Sequence, residues 1–225
     1  MGEEALPIHA SVPLLIGNTA TESTFYFASD PRNLALTETQ LNARIRDQFR
    51  VDRTEAEAIA ASFRLEGPER TPSQVLTTII EETLFRVPMT RAAEIKSRAN
   101  AAPVNMYNFN WTAPVDGGIW GAPHTIDIPF VFGNMSASTS LTASGAEQDE
   151  VSRNLMTAFV EFARTGNPNN VRMPEWRAYD TEARVTMMIG RECHAVRNYR
   201  AGDLNAGATL PLDPYDRTAL LTYRA

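Results

Sequence analysis

The segment Val12-Pro13-Leu14-Leu15-Ile16-Gly17 is short, continuously apolar and closed by a glycine. This pattern is typical of a strand that is buried on both faces of a parallel sheet. A second buried strand is predicted over residues 104–111, which lie between prolines at positions 103 and 114. A third strand is predicted over residues 184–189. The fold class then depends on what separates these strands.

Helical segments occupy much of the sequence between the predicted strands. They are predicted over residues 37–49 behind a Thr37/Gln40 cap, 54–63, 71–85 with Pro72 in the first turn, 91–100 and 148–165. The last segment has Val151, Leu155 and Phe159 at helical spacing, and Gly166 follows as a stop signal. The tail after Asn198 shows turn residues without periodicity. Strands interleaved with helices indicate the α/β class with a parallel sheet.

Composition limits the classes of partner. The chain has 225 residues, of which 43% are apolar, enough for the core of one large domain or of a fragment of a larger one. Acidic residues outnumber basic ones by 27 to 21, the net charge is −6 and no Lys/Arg cluster occurs, so nucleic acid is not an expected partner. No stretch approaches the roughly 20 apolar residues that span a bilayer, so no membrane is expected either.

Cysteine usage and the N-terminus bear on compartment and cofactors. Cys193 is the only cysteine, which excludes an internal disulfide and leaves no thiol pair for a structural zinc site. No metal and no cofactor are predicted. The sequence from Met1 to Leu6 lacks a basic segment leading into an apolar run. These features favour the cytoplasm, whereas a signal encoded upstream of Met1 would make the protein secreted, and the localisation stays open.

Three histidines limit the search for a general base. His9 lies in an extended, proline-containing lead and is interpreted as a surface residue. His194 follows Cys193, but adjacent residues on a strand point to opposite faces and cannot form a thiol/imidazole pair. His124 follows a glycine-rich turn after the second predicted strand. Glu22 occupies the same kind of place after the first strand, and this makes Glu22 and His124 the candidate catalytic residues.

The order of these two residues matters, because the triad of α/β-hydrolases runs serine, acid, histidine, each on a loop after a strand. Glu22 and His124 fit the second and third places. The serine requires a G-x-S-x-G turn, because only flanking glycines permit the strained passage from strand to helix. No such pattern occurs in the 225 residues. Gly133-Asn134-Met135-Ser136 comes nearest, and it lacks both the spacing and the preceding strand.

Several stretches resemble type-B carboxylesterases, α/β-hydrolases that include para-nitrobenzyl esterases and are related to cholinesterases. Pro13–Ser23 (PLLIGNTATES) resembles the segment that delivers the triad glutamate, and Gly121–Gly133 (GAPHTIDIPFVFG) is similar to the histidine loop. The further matches are Phe159–Asn169 (FVEFARTGNPN) followed by Trp176, similar to the helix and turn near the family's C-terminus, Phe85–Pro88 (FRVP) and Tyr107–Phe109 (YNF). These landmarks stand in the family's order and cover most of the chain.

The sequence also departs from the family pattern. A glycine usually follows the acid, where this chain has Ser23, an acidic residue often precedes it, where the chain has Thr21, and Asp127 stands where glutamate is common. A larger departure is that the family's N-terminal portion, with its oxyanion-hole glycines and nucleophilic serine, has no counterpart in the 225 residues. Residues 1–225 are therefore predicted to be a single C-terminal portion of an α/β-hydrolase, from a truncated, split or cleaved enzyme.

The resemblance implies hydrolysis of a small-molecule carboxylic ester by a Ser-His-Glu triad through an acyl-enzyme, without a cofactor. His124 would be the general base, and Glu22 would orient its imidazole. The partner would be the missing N-terminal portion, and the chain alone is expected to be nearly inactive. Two alternatives stay open: a catalytically inactive, esterase-like binding module, and a subunit completed by a separate serine-bearing chain. Retention of both Glu22 and His124 argues against the inactive module.

Overall fold

The computed structural model describes residues 9–211. The strands are β1 (Leu14–Thr19), β2 (Val104–Phe109), β3 (Thr186–Ile189) and β4 (His194–Val196). The helices are α1 (Thr24–Phe27), α2 (Glu38–Phe49), α3 (Arg53–Ser62), α4 (Pro72–Ile80), α5 (Val87–Ala99), α6 (Asp127–Val131), α7 (Thr139–Thr142), α8 (Ala146–Thr165) and α9 (Ala201–Thr209). Glu81–Arg86 forms a π-helical segment, and Pro31–Ala35, Val115–Gly118 and Met135–Ala137 form 3₁₀ turns.

The described residues group into two compact units. Residues 9–20 and 89–199 form one, which we call the sheet unit, and residues 21–88 and 200–211 form the other, which we call the helical unit. The single portion predicted for residues 1–225 stays a prediction. The lead before His9 and the end of the predicted turn-rich tail, residues 212–225, lie outside the described residues.

The sheet unit contains the four strands in the order β1-β2-β3-β4. β1 and β2 are parallel, with Leu14 opposite Val104, and β2 and β3 are parallel, with Met106 opposite Thr186. β4 adds an antiparallel strand to β3. The predicted α/β class with a mostly parallel sheet is therefore confirmed, and the short strand β4 begins at His194, which the sequence analysis placed on a strand without predicting its bounds.

β1 lies two residues further along than the apolar run indicates. Gly17, read from sequence as the end of the strand, is an interior residue paired with Tyr107 of β2. A Cβ atom at this position would overlap the Tyr107 ring, so glycine makes room for the ring across the strand pair. Strand β1 is also half-buried over its first four residues, not fully buried as predicted.

Aromatic side chains fill the core of the sheet unit. The Phe130 ring lies 5.1 Å from that of Phe109 and 4.9 Å from that of Trp111, all three being buried. α8 packs its buried residues Val151 and Leu155 into the same cluster. The predicted helix over 148–165 is confirmed, and it stops at Gly166 in the left-handed conformation, as the sequence indicated.

Three helices of the helical unit, α2, α3 and α4, begin at capping boxes. Thr37 and Gln40 form one at the start of α2, as predicted, and the same arrangement starts α3 and α4. The helical faces bury residues such as Leu41, Ile79 and Ile80 in one apolar cluster. These caps fix where each helix begins, and the buried faces determine which side turns inward.

Two predicted segments of the helical unit are corrected. The single helix expected over 71–85 is α4 followed by the π-helical segment, in which Glu81 and Glu82 are buried. The tail after Asn198 was expected to lack regular structure, and this is wrong, because α9 lies there. α9 is stabilised from a distance: the buried Asp203 accepts two hydrogen bonds from Arg70, at 2.7 and 2.8 Å. The sequence of α9 lacks the apolar periodicity that predicts a helix, and the Arg70–Asp203 pair helps to hold the helix in place.

Candidate active site

Glu22 follows β1 after a short turn, in the place predicted for a triad acid. The residue is 5% exposed. The next segment, α1, begins two residues later at Thr24. The chain therefore turns from extended to helical conformation around Glu22, and the acid lies in the helical unit.

A second buried carboxyl group, that of Glu81, holds this turn. Its Oε2 accepts a hydrogen bond from the Glu22 backbone N–H at 2.9 Å, and its Oε1 accepts one from the Ser23 backbone N–H at 2.7 Å. The Ser23 hydroxyl donates a third bond to Oε1 at 2.7 Å. We call these three hydrogen bonds the Glu81 clamp. Sequence reasoning missed Glu81, because nothing in the local pattern separates it from other helical glutamates.

The clamp explains why serine is accepted where the family usually has glycine. Ser23 has a φ of −73°, an ordinary value that needs no glycine. Its hydroxyl supplies one of the three bonds to Glu81. This departure from the family pattern therefore adds a contact and strains nothing.

Burial dominates the electrostatics of Glu81. The pKa of the Glu81 carboxyl is raised to about 8, because burial, with a smaller contribution from the negative charge of Glu22, outweighs the hydrogen bonds from Ser23 and Glu22 that lower it. The neighbouring Glu82 has different partners: its carboxylate pairs with Arg86 at 3.1 Å and with Arg200 at 3.6 Å. The pKa of Glu82 is raised to about 7, because burial outweighs the lowering effect of the two arginines. Glu81 and Glu82 are thus consecutive buried acids with different partners: Glu81 binds the Glu22 turn, and Glu82 pairs with arginines.

His124 lies in a turn between β2 and α6, after the glycine-rich segment, as predicted. The turn is closed locally by a hydrogen bond from the Ile126 N–H to the Pro123 carbonyl at 3.1 Å. His124 is half-buried. Thr125, the next residue, has a left-handed φ of 69°, which is a genuine outlier for a β-branched residue. The histidine turn is therefore a strained segment of the sheet unit.

An acid lies near His124 in the same unit. Asp127 begins α6 and accepts a hydrogen bond from the Tyr107 hydroxyl at 3.0 Å. Burial raises the pKa of Asp127, while the Tyr107 bond and the charge of His124 oppose the shift. Tyr107 is the residue for which Gly17 makes room, so this glycine of β1 also supports the surroundings of the histidine turn.

The structure places Glu22 in the helical unit and His124 in the sheet unit, and the orientation of the His124 imidazole by Glu22 stays a prediction. Of the other histidines, His194 is exposed on β4, and burial raises the pKa of the adjacent Cys193 thiol. His9, interpreted as a surface residue, is half-buried instead.

Within residues 9–211, no group of three or more His, Cys, Asp or Glu side chains is placed to hold a metal, and no helix there has the length and apolarity for a membrane span.

The sequence profile of the carboxylesterase family matches residues 2–206, nearly the whole described range. The chain belongs to the carboxylesterase family. Among curated carboxylesterase-like proteins, it is 29% identical to phenmedipham hydrolase of Pseudarthrobacter oxydans over 190 residues, which are 82% of this chain and 37% of that protein. It is 30% identical to para-nitrobenzyl esterase of Bacillus subtilis over 185 residues, 81% of this chain and 35% of that protein.

Solved carboxylesterases show the same fold. The Geobacillus stearothermophilus carboxylesterase EST55 matches with a TM-score of 0.74 and 27% identity, over 91% of this chain and 42% of that chain. A thermophilic PNB esterase matches with a TM-score of 0.67 and 27% identity, over 91% of this chain and 40% of that chain. The predicted α/β-hydrolase fold is confirmed. The chain spans little more than a third of the length of the curated carboxylesterases it matches, in agreement with the resemblance to a C-terminal portion.

Proposed function

We propose that this chain supplies the acid and the general base of a carboxylic ester hydrolase, with Glu22 and His124 as two members of a Ser-His-Glu triad. The observation that supports the proposal is the match to the carboxylesterase family over residues 2–206, a range that contains both residues and their surrounding motifs. Each of the two residues follows a strand of the sheet, where α/β-hydrolases carry their triad.

In the proposed reaction, His124 removes the proton from a serine hydroxyl as the serine oxygen attacks the ester carbonyl. The proton then passes from the imidazolium to the leaving alcohol, and the acyl group stays on the serine. His124 next removes a proton from water as the water oxygen attacks the acyl-enzyme carbonyl, and the imidazolium returns that proton to the serine oxygen as the ester bond breaks and the carboxylic acid is released. Glu22 accepts the hydrogen bond of the other imidazole nitrogen, fixes the tautomer and stabilises the imidazolium.

The nucleophile comes from outside these 225 residues in this proposal, because they contain no G-x-S-x-G pattern. A serine-bearing portion, either joined to this chain or encoded as a separate chain, supplies the nucleophile and the oxyanion-hole donors. We call the assembly of that portion with this chain the complete enzyme. The chain alone is then nearly inactive, because the residues that remain cannot form an acyl-enzyme.

The proposed substrates are small carboxylic esters with an aromatic leaving group. Para-nitrobenzyl esterase, one of the curated carboxylesterases similar to this chain, is named for an ester of this kind. A para-nitrophenyl ester also has an aromatic leaving group, and it releases the coloured para-nitrophenolate ion, which makes the proposal measurable.

The test is hydrolysis of para-nitrophenyl acetate by the complete enzyme, prepared once as a single chain and once by mixing two chains. We expect activity in at least one form, and we expect His124→Ala to abolish it. His194→Ala is the matched control, because His194 is exposed on β4, and this variant should keep the activity. Full activity of His124→Ala would remove this histidine from the mechanism, and inactivity of both forms would favour the binding module.

A further inference from the structure

We propose that Glu81 is a positioning residue for Glu22: it holds the backbone from which the triad acid projects, and so fixes the direction of that side chain. The inference rests on the proposed function, because it gives Glu81 a role only through Glu22. It assigns no contact between Glu81 and the substrate.

The geometry of the clamp supports this role. Both carboxyl oxygens of Glu81 are engaged, one by Glu22 and the other by Ser23, with donor–acceptor distances of 2.7 to 2.9 Å. Two of the donors are the consecutive backbone N–H groups of Glu22 and Ser23, so the peptide units on both sides of the Glu22 Cα atom are held by Glu81. The side chain of Glu22 leaves the backbone within this fixed segment.

Glu81 directly follows a helix end that is packed in the core of the helical unit. α4 ends at Ile80 and the π-helical segment begins at Glu81. Ile79 and Ile80, the two residues before Glu81, are completely buried in the apolar cluster of the helical unit. Short π-helical insertions in helices frequently occur at functional sites. Glu81 therefore extends from a packed helix end toward a turn that has little regular structure of its own.

The partners of Glu82 differ from those of Glu81, and the difference shows that Glu81 does more than pair a buried carboxyl group. Glu82 lies next to Glu81 in the same π-helical segment and is also buried, and it pairs with Arg86 and Arg200. This is the usual arrangement for a buried acid. Glu81, by contrast, contacts the backbone beside the proposed catalytic acid.

Loss of the clamp should therefore act on turnover. A small misplacement of a catalytic group can cost on the order of 100-fold in rate, even when the altered residue lies away from the chemistry. In the complete enzyme we expect Glu81→Gln to lower kcat for para-nitrophenyl acetate by about 10- to 100-fold, with KM within about twofold of the wild type. An amide cannot reproduce the clamp, because its NH2 group would face one of the donating N–H groups.

The matched control is Glu82→Gln in the complete enzyme. It removes a buried charge from the same segment and should lower the unfolding temperature, while kcat of the folded enzyme at 25 °C stays within about twofold of the wild type. An equal loss of kcat in Glu82→Gln would overturn the proposal, because the effect would then belong to the segment as a whole. Wild-type kcat in Glu81→Gln would overturn it as well.

A double-mutant cycle with Glu22→Gln makes the decisive measurement. Since Glu81 acts through Glu22, Glu81→Gln should lower kcat no further once Glu22 is replaced, whereas an independent structural effect would lower kcat by the same factor in both backgrounds. If Glu81→Gln does not fold, Ser23→Ala enters the cycle in its place, because it removes only the hydroxyl bond. Should Glu22→Gln alone keep full activity, the proposed function fails. Should Glu22→Gln lose activity and the cycle be additive, only this inference fails.

Discussion

The proposed acid and the proposed base are held in opposite ways. The turn at Glu22 is buried and is fixed by Glu81, a residue 59 positions further along the chain, and its backbone angles are ordinary. The turn at His124 is half-buried and is closed by a local hydrogen bond, with Thr125 in a left-handed conformation. The Glu22 turn therefore depends on a contact that is distant in sequence, whereas the His124 turn depends on local backbone geometry that is strained.

The largest expected effect is a loss of kcat, and it should differ between the two acids near these turns, Glu22 and Asp127. Glu22→Gln should lower kcat of the complete enzyme by about 10⁴-fold, because an amide leaves the imidazole in the wrong tautomer, as in serine proteases. Asp127→Asn should lower kcat far less, because Asp127 is bound to Tyr107 and is not assigned to the triad. The measurement is para-nitrophenyl acetate kinetics.

Glu38→Gln is the control for the first comparison, since Glu38 is exposed and pairs only with Arg64 among the ion pairs described. It should retain wild-type kcat. A loss in Asp127→Asn equal to that in Glu22→Gln would mean that the acid assignment is wrong and that the base is oriented from within the sheet unit.

The second effect is the dependence of stability on pH. The pKa of Glu81 in the folded protein, about 8, lies above its ordinary value of 4.5. The folded state then binds more protons than the unfolded state between these values, so this contribution is fully present below pH 4.5 and is lost as the pH rises through 8. We expect the free energy of unfolding of the complete enzyme to fall from pH 5 to pH 9.

Denaturant unfolding at several pH values checks this slope. One such group can contribute at most about 1.4 kcal/mol per pH unit, and Glu81→Gln should reduce the slope accordingly. Asp127→Asn is the comparison from the histidine turn: the pKa of Asp127 is also raised by burial, so the slope should change in the same direction. An unchanged slope in Glu81→Gln would show that its carboxyl group stays ionised in the folded protein.

Sequence patterns identified the features that are local. The Thr37/Gln40 cap and the stop at Gly166 follow from a few neighbouring residues, and both are found where predicted. The turn that carries His124 was predicted in the same way. Such features depend on short-range hydrogen bonds and on backbone preferences that the residues themselves specify.

What the sequence could not reveal depends on partners far along the chain. Glu81 and Glu82 are neighbours of the same type, and only the folded structure assigns one to the Glu22 turn and the other to arginines. α9 shows the same limit, because its Asp203 is fixed by Arg70, 133 residues away. The need for glycine at position 17 likewise follows from a ring on another strand, that of Tyr107.

A third, smaller effect concerns the residue after each candidate. Thr125→Gly should raise the free energy of unfolding by about 1 kcal/mol, because glycine adopts the left-handed conformation without the penalty of a β-branched side chain. Ser23→Gly should lower it by about 1 to 2 kcal/mol, since Ser23 has a negative φ and its hydroxyl bonds to Glu81. Denaturant unfolding of both variants measures the two changes in the free energy of unfolding. Equal shifts of the same sign would contradict the contrast between a strained and an unstrained turn.

The smallest effect tests which end of α4 matters for the clamp. Thr71→Ala removes the side-chain cap on the Gln74 N–H, now bonded at 3.3 Å, and should cost about 1 kcal/mol of stability. Thr37→Ala is the matched control, because Thr37 caps α2 in the same way, bonded to the Gln40 N–H at 3.2 Å, on a helix that does not lead into Glu81. Both variants should keep kcat near the wild-type value, because fraying is confined to the first exposed turn while Glu81 follows the buried end at Ile80. Thermal unfolding and ester hydrolysis of the complete enzyme would be measured together. A tenfold loss of kcat in Thr71→Ala but not in Thr37→Ala would show that the clamp depends on the whole of α4, and that the Glu22 turn is held less firmly than its three hydrogen bonds indicate.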